Sequence, residues 1–115
     1  AYRTLYFNMN RFTEQLSLAK LQGTYIKWLN QLKKADLIIL DDFGLQQLDQ
    51  NAKLALLQML EDRYDYKSTI IVSQLPIEHW YSFINEPTIA DAILDRMLAK
   101  CFNFDLKGKS LRIKI

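Results

Sequence analysis

Two unbroken apolar segments constrain this chain most. They are "DLIIL" (36–40) and "STIIV" (68–72), and each is the length of a strand and rich in β-branched residues. Continuous apolar strands are typical of a parallel sheet that is covered on both faces. The segment between them, 48–66, has helical spacing, with Asp49 as a candidate N-cap. A strand, a helix and a second strand in this order predict an α/β fold with right-handed crossovers.

The rest of the chain extends this alternation in both directions. Periodicity and turn residues predict six further elements: a strand within 2–10, helices at 11–22 and 24–34, a short helix at 77–84, a helix at 87–100 and a hairpin at 101–115. We therefore expect one α/β domain, or part of one, over residues 1–115.

Composition excludes several classes of protein. The net charge of +2 does not by itself indicate a nucleic-acid partner, and the single cysteine, Cys101, excludes an internal disulfide or a cysteine-rich metal site. No apolar run approaches the roughly 20 residues that cross a bilayer. We expect a cytoplasmic protein without a membrane partner. Because the chain starts at Ala1 and enters a strand pattern almost at once, we also expect it to be part of something longer.

Polar residues follow both apolar strands. Asp41 and Asp42 end the first, and Ser73 and Gln74 end the second. In parallel sheets ligands bind beyond the carboxyl ends of the strands, so these four side chains would line one crevice if the strands are neighbours. An apolar strand ending in two acids is the Walker B pattern, in which Mg²⁺ compensates the paired charge. The alternative is that both aspartates only cap the turn through Gly44.

A basic residue on the last predicted helix is a further candidate. "DAILDRM" places Arg96 beside Asp95, on the polar side of a helix whose apolar stripe includes Ile93. An arginine here could act on phosphate, or it could be an ordinary solvated or ion-paired residue. Ser73 lacks the glycines of a nucleophile elbow, and His79 lacks a second ligand at metal-site spacing, so neither predicts hydrolase or metal chemistry.

The ordered set "LDDFG … SQLP … TIADAILDR … LKGKSLR" resembles the IstB-like ATP-binding proteins over nearly the whole chain. These are helper ATPases of insertion-sequence transposition in the AAA+ class, related to the helicase loader DnaC. The resemblance implies a three-layer P-loop NTPase (AAA+/ASCE) parallel sheet with flanking helices. It implies ATP and Mg²⁺ as cofactors, with Asp41 as the Mg²⁺-linked acid and Asp42 at the catalytic-acid position. Gln74, with Ser73 beside it, resembles the first phosphate sensor, and Arg96 resembles an arginine finger that acts on a neighbouring subunit.

The same resemblance implies partners: double-stranded DNA, a transposase and further copies of the chain. A DnaC-like loader of a replicative helicase is the alternative function, and a non-enzymatic α/β interaction domain is a third. Basic residues near the C-terminus and elsewhere would suit the DNA backbone. The alternative is that they are only solvated, and that those of the hairpin protect its edge strand from pairing with another chain. These residues are Lys33, Lys34, Lys100, Lys107, Lys109, Arg112 and Lys114.

One family feature does not occur in this sequence. No "GxxxxGK[ST]" phosphate loop is present, and the three glycines are Gly23, Gly44 and Gly108. The family carries this loop and the central first strand upstream of the segment that matches here. We therefore expect an incomplete domain that binds ATP weakly or not at all, although the parent protein would bind it. Without the central strand we also expect either a rearranged sheet or pairing between chains.

Overall fold

The computed structural model describes residues 2–98 together with the backbones of 101–106 and 109–114. The elements are β1 (Thr4–Asn8), α1 (Met9–Leu21), α2 (Tyr25–Lys34), β2 (Leu37–Asp41), α3 (Gln50–Arg63), β3 (Ser68–Ser73), a 3₁₀ turn (Ile77–His79), α4 (Trp80–Ile84), α5 (Pro87–Leu98), β4 (Cys101–Leu106) and β5 (Lys109–Lys114). None of the helices described is long and apolar enough to cross a membrane.

The five strands form one mixed sheet in the order β1-β2-β3-β5-β4. The first three are parallel, with Leu5 opposite Ile38 and Ile38 opposite Thr69. β5 lies antiparallel to β3, so that Ile70 faces Ile113 in the register, and β4 completes the hairpin. The direct pairing of β5 with β3, the strand that carries Ser73, agrees with the rearranged-sheet alternative, and pairing between chains stays a prediction. The turn residues 107–108 lie outside the described residues.

Local capping explains where the helices begin. The Asn8 side chain accepts a hydrogen bond from the Arg11 backbone N–H at 2.8 Å, so α1 begins at Met9, two residues before the predicted start. Asp49 accepts from the Ala52 N–H at 2.8 Å, which confirms it as the N-cap of α3. α5 begins at Pro87, where a missing N–H costs nothing.

The helices described pack on one face of the sheet. Phe7, Ile38, Leu40 and Ile71 on that face are buried and form one core with the buried residues of α1–α5, and the partly buried Leu5 packs against it. The alternate strand residues are half-buried and do not belong to this core: Leu37, Ile39, Ile70 and Val72. The predicted cover on both faces is therefore only half supplied by residues 2–98, which build two of the three layers.

A buried arginine joins the amino ends of β2 and β3. The Arg63 side chain is 1% exposed, and its guanidinium donates to the carbonyl oxygens of Leu32 (2.7 Å) and Ala35 (2.6 Å), to the Ser68 carbonyl, and to Thr69 Oγ1 (3.0 Å). Burial lowers the pKa of Arg63 to about 10, so the group stays charged at neutral pH. The burial of Arg63 could not be predicted from the sequence, because nothing in the helical pattern around it distinguishes it from a surface arginine.

Candidate functional site

The carboxyl ends of β2 and β3 meet, because the two strands are neighbours in register from Leu37–Ser68 to Leu40–Ile71. The Phe43 N–H donates to the Val72 carbonyl at 3.1 Å and carries the contact past the end of β2. The loops that contain Asp41–Asp42 and Ser73–Gln74 therefore lie side by side. This is the adjacency on which the sequence-based prediction of a shared crevice depended.

Asp41 is the half-buried acid of this edge, and both of its carboxylate oxygens accept a hydrogen bond. Oδ1 accepts from the Asp42 backbone N–H at 2.8 Å, and Oδ2 accepts from the Tyr6 hydroxyl at 2.6 Å. The hydrogen bond to Asp41 is the main cause that raises the pKa of Tyr6 above its ordinary value. Within residues 2–98 no lysine or arginine forms an ion pair with either Asp41 or Asp42.

Asp42 has an unusual backbone conformation. Its φ is 61°, in the left-handed region that costs most residues free energy and that often marks functional sites. Its side chain is exposed and lies between two small cavities. A cavity of about 270 Å³ is lined by Asp42, Phe43, Gly44, Leu45, Gln74 and Leu75, and one of about 110 Å³ adds Asn8 and Asn10 on the β1 side.

The turn after Asp42 requires a glycine. Gly44 has φ 94°, and a Cβ at this position would lie 2.9 Å from the Leu75 Cβ. The alternative in which both aspartates merely cap this turn applies to Asp41, whose carboxylate accepts the Asp42 N–H. It does not apply to the Asp42 carboxylate, for which the described part of the chain supplies no hydrogen-bond donor.

Ser73 and Gln74 have different surroundings. The Ser73 side chain is 1% exposed, its hydroxyl donates to the Phe43 carbonyl, and it accepts from the Leu75 N–H at 2.9 Å. This hydroxyl therefore joins the two loops. Gln74 is exposed and lines the larger cavity together with Asp42. Of the two, the Gln74 amide is the group that faces the space a ligand could enter.

An aromatic cluster supports both loops from below. Trp80 is fully buried, its Nε1–H donates to the Leu75 carbonyl at 2.7 Å, and its ring lies 4.8 Å from that of Phe43. Phe83 also contacts Phe43, edge to face, at 5.3 Å between ring centroids. Trp80 thus packs beneath the two loops, whereas the adjacent His79 is exposed.

Arg96 lies away from these cavities, on the side of α5 that faces α3. Its guanidinium donates to Asp95 at 2.7 Å, lies 3.6 Å from Glu61 Oε1, and stands over the Tyr64 ring at 5.6 Å. About a third of the side chain is exposed. This placement agrees with the ion-paired alternative. The arginine-finger role, which acts across a subunit boundary, stays a prediction.

The oxygen donors at this edge suit a hard cation. The Asp41 and Asp42 carboxylates and the side-chain carbonyl of Gln74 offer oxygen ligands, which Mg²⁺ prefers over nitrogen or sulfur ligands. Within the described residues no three His, Cys, Asp or Glu side chains cluster closely enough to hold a metal alone. The set therefore fits a Mg²⁺ ion that keeps water and phosphate oxygens as its other ligands, which is how Mg²⁺ binds with nucleotides.

Sequence reasoning missed Tyr6 and Phe43. Tyr6 precedes Asp41 by 35 residues and contacts it only because β1 pairs with β2, so no local pattern could have revealed the contact. Phe43 stands within the quoted "LDDFG" stretch, but its partners are Ser73, the last residue of β3, and Trp80, the first residue of α4. The lysines and the arginine proposed for DNA at positions 100, 107, 109, 112 and 114 have side chains outside the described residues, whereas Lys33 and Lys34 are exposed at the end of α2.

The fold is similar to that of a solved nucleotide-bound protein. The structure of AMPPCP-bound DnaA from Aquifex aeolicus superposes with a TM-score of 0.66, and the match covers 83% of this chain and 30% of that one. The two sequences are 16% identical over this match, so the likeness shows the fold alone. It supports the P-loop NTPase-like α/β fold that the sequence predicted.

Sequence comparisons identify the family. The family model described as IstB-like ATP binding protein matches residues 1–115. A putative insertion sequence ATP-binding protein (y4pL) of Sinorhizobium fredii is 46% identical over 108 residues, covering 94% of this chain and 44% of the relative. The insertion sequence IS5376 putative ATP-binding protein of Geobacillus stearothermophilus is 30% identical over 98% of this chain and 45% of that protein. The chain thus spans less than half the length of these relatives, and it belongs to the IstB-like ATP-binding protein family.

Proposed function

We propose that this chain is the catalytic-acid half of a helper ATPase for DNA transposition. In the longer protein it would use Mg-ATP to assemble on target DNA and to activate a transposase. The chain spans 44% of its relative from Sinorhizobium fredii, and we propose that the phosphate loop lies in the remaining part. The observation that carries the proposal is the meeting of Asp41–Asp42 and Gln74 at one edge of the sheet, in a chain of this family.

Each residue has a role that its surroundings support. Asp41 is oriented through both oxygens and would hold Mg²⁺ through a bound water or directly. The exposed Asp42 carboxylate faces the cavity and would accept a proton from, and orient, the attacking water. The Gln74 amide would donate to the terminal phosphate from the opposite wall. Mg²⁺, when bound, would neutralise charge on the phosphates.

Hydrolysis by the protein of full family length is the first test. We expect Asp41→Ala to abolish Mg²⁺-dependent ATP turnover, and Asp42→Asn to lower it by roughly 10²-fold or more while nucleotide binding persists. Asp91→Asn is the matched control, since it neutralises an exposed aspartate of α5 away from the cavities. Calorimetry would give the nucleotide affinity and a phosphate-release assay the rate.

The outcome that would contradict the proposal is specific. If Asp41→Ala and Asp91→Asn hydrolyse ATP alike, the paired aspartates are turn residues and the ATPase assignment fails. If the protein of full family length binds no nucleotide at all, this sheet edge has another use. The 115-residue chain itself should bind Mg-ATP at least 10²-fold more weakly, because it contains no phosphate loop.

Assembly and DNA binding form a separate part of the proposal. We propose that ATP-bound subunits associate so that Arg96 of one completes the site of the next, and that the assembly contacts the backbone of double-stranded DNA in the cytoplasm. Breaking the contacts of Arg96 with Asp95 and Glu61 would free the guanidinium for this step. Arg96→Lys keeps the charge but not the planar fork, so we expect turnover to fall and nucleotide affinity to stay unchanged. DNA affinity should fall steeply with salt, and transposase stimulation on target DNA should depend on ATP.

A further inference from the structure

We infer that Tyr6 is a positioning residue for the candidate metal-binding carboxylate, Asp41. This inference rests on the proposed function, because it assigns Tyr6 a part in loading Mg²⁺ at that site. The Tyr6 hydroxyl donates to Asp41 Oδ2 at 2.6 Å, a length typical of a charge-assisted bond to an ionised carboxylate.

The register of the sheet produces this contact. Asn8 lies opposite Asp41 in the parallel pair β1–β2, so Tyr6, two residues earlier, stands on the same face of the sheet as Asp41. Its side chain crosses from the edge strand to the end of β2. A β1 that was shifted by one residue would turn Tyr6 to the buried face, so the fold holds the two groups together.

Among residues 2–98, Tyr6 contributes little to packing. Its side chain is 59% exposed and does not belong to the apolar core, whereas its neighbour Phe7 is buried. A Tyr6→Phe substitution would remove one hydroxyl and leave this apolar core unchanged. Among the described residues, Asp41 is thus the hydrogen-bond partner of the Tyr6 hydroxyl.

The two hydrogen bonds to Asp41 fix the carboxylate in different ways. The Asp42 N–H engages Oδ1 and belongs to the turn, while the Tyr6 hydroxyl engages Oδ2 from another strand. Together they leave the carboxylate plane a single orientation, and each oxygen keeps a further lone pair for a cation or a cation-bound water. Partners of ligating carboxylates commonly tune metal affinity by 10–100-fold.

The test is the Mg²⁺ dependence of nucleotide binding in the protein of full family length. Calorimetry with a non-hydrolysable ATP analogue would be repeated over a series of Mg²⁺ concentrations and in EDTA. We expect Tyr6→Phe to raise the half-saturating Mg²⁺ concentration by about 10-fold and to leave the affinity in EDTA unchanged. A tyrosine with a purely structural role would change both values or neither.

Two further variants separate the possible failures. Tyr2→Phe removes the hydroxyl of a tyrosine that is 88% exposed and should leave both values as in the wild type. Asp41→Asn should raise the Mg²⁺ requirement more than Tyr6→Phe does. If Asp41→Asn has its effect and Tyr6→Phe has none, the inference about Tyr6 is wrong and the proposed function stands. If neither variant changes the Mg²⁺ dependence, Asp41 is not the metal-linked acid and both fail.

Discussion

Arg63 and the Asp41–Asp42 pair are charged groups at opposite ends of the same parallel strands, and their surroundings differ completely. Arg63 is buried at the amino ends, where three carbonyl oxygens and a hydroxyl accept its N–H groups. Asp41 and Asp42 stand at the carboxyl ends, without an ion-pair partner among residues 2–98, and Asp42 has a left-handed backbone. The N–H groups of Arg63 have hydrogen-bond acceptors within the protein, whereas the two carboxylates have no cation beside them among residues 2–98, and Asp42 has no hydrogen-bond donor there either.

This difference separates a charge whose hydrogen bonds stabilise the fold from charges whose surroundings suit a bound cation. Burying a charged group costs free energy unless its hydrogen bonds are formed. The acceptors around Arg63 provide these bonds. Two adjacent carboxylates repel each other and favour a cation from outside. The strain at Asp42 points the same way, because stability alone would favour glycine there.

Removing the arginine should have the largest effect on stability. Arg63→Ala would leave the carbonyl oxygens of Leu32 and Ala35 buried without donors, and we expect the free energy of unfolding to fall by roughly 3–5 kcal/mol. Denaturant titration of the chain would measure it. Arg11→Ala, at an exposed position of α1, should change stability by less than about 0.5 kcal/mol. Equal losses in the two variants would show that Arg63 is not the anchor described.

The glycine of the site turn offers a comparison with a second glycine. Gly44→Ala combines a positive φ with a Cβ 2.9 Å from the Leu75 Cβ, and we expect a loss of roughly 2–3 kcal/mol. Gly23→Ala has φ 71° but no atom within 4 Å of the added carbon, so its loss should be about 1 kcal/mol. The difference between the two losses in unfolding free energy measures how closely the loop at Gly44 approaches the loop at Leu75. Thermal unfolding that ranks Gly23→Ala as the worse variant would contradict the close approach.

Relieving the strain at Asp42 should stabilise the chain and harm the site. We expect Asp42→Gly to raise the free energy of unfolding by roughly 0.5–1 kcal/mol, since it removes both the left-handed penalty and the repulsion from Asp41. Asn85→Gly, at another left-handed position, removes no charge repulsion, so it should give a smaller gain and leave nucleotide turnover unchanged. If Asp42→Gly destabilises the chain, the carboxylate contributes to the fold and the contrast with Arg63 weakens.

The smallest effect concerns Asp36, an acid at the same end as Arg63. Its carboxylate accepts from the Arg3 N–H at 2.8 Å and from Lys67 Nζ at 3.1 Å, and these contacts, the first above all, lower the pKa of Asp36. The stabilisation is therefore fully present above the ordinary carboxyl pKa of about 3.9 and is lost as pH falls through the lower pKa of the folded state. The stability difference between wild type and Asp36→Asn should shrink over this range. A difference that stays constant from pH 7 to pH 2 would exclude the effect.

Local patterns in the sequence predicted the elements and the acidic edge. The apolar segments became β2 and β3, Asp49 capped α3, and the two loops after these strands met as expected. Such features depend on spacing within a few residues, or on the general rule that successive strands of this kind are neighbours.

What the sequence could not predict depends on contacts between distant segments. Three such features are the buried contacts of Arg63, the hydrogen bond from Tyr6 to Asp41 and the ring contact between Phe43 and Trp80. Each brings together residues from different parts of the chain. An arginine, a tyrosine or a phenylalanine has the same local pattern whether or not such a partner exists. The choice of β5 as the neighbour of β3 is of the same kind, because strand order is set by the whole sheet rather than by either strand.

The hydrogen bonds between the loops after β2 and β3 have a mechanical consequence. The Phe43 N–H binds Val72, the Ser73 hydroxyl binds the Phe43 carbonyl, and Trp80 holds Leu75. The peptide that follows Asp42 and the one that precedes Gln74 are therefore linked through the hydrogen bonds of Phe43 with Val72 and Ser73. We expect a ligand that displaces Gln74 to shift the Asp42 backbone as well.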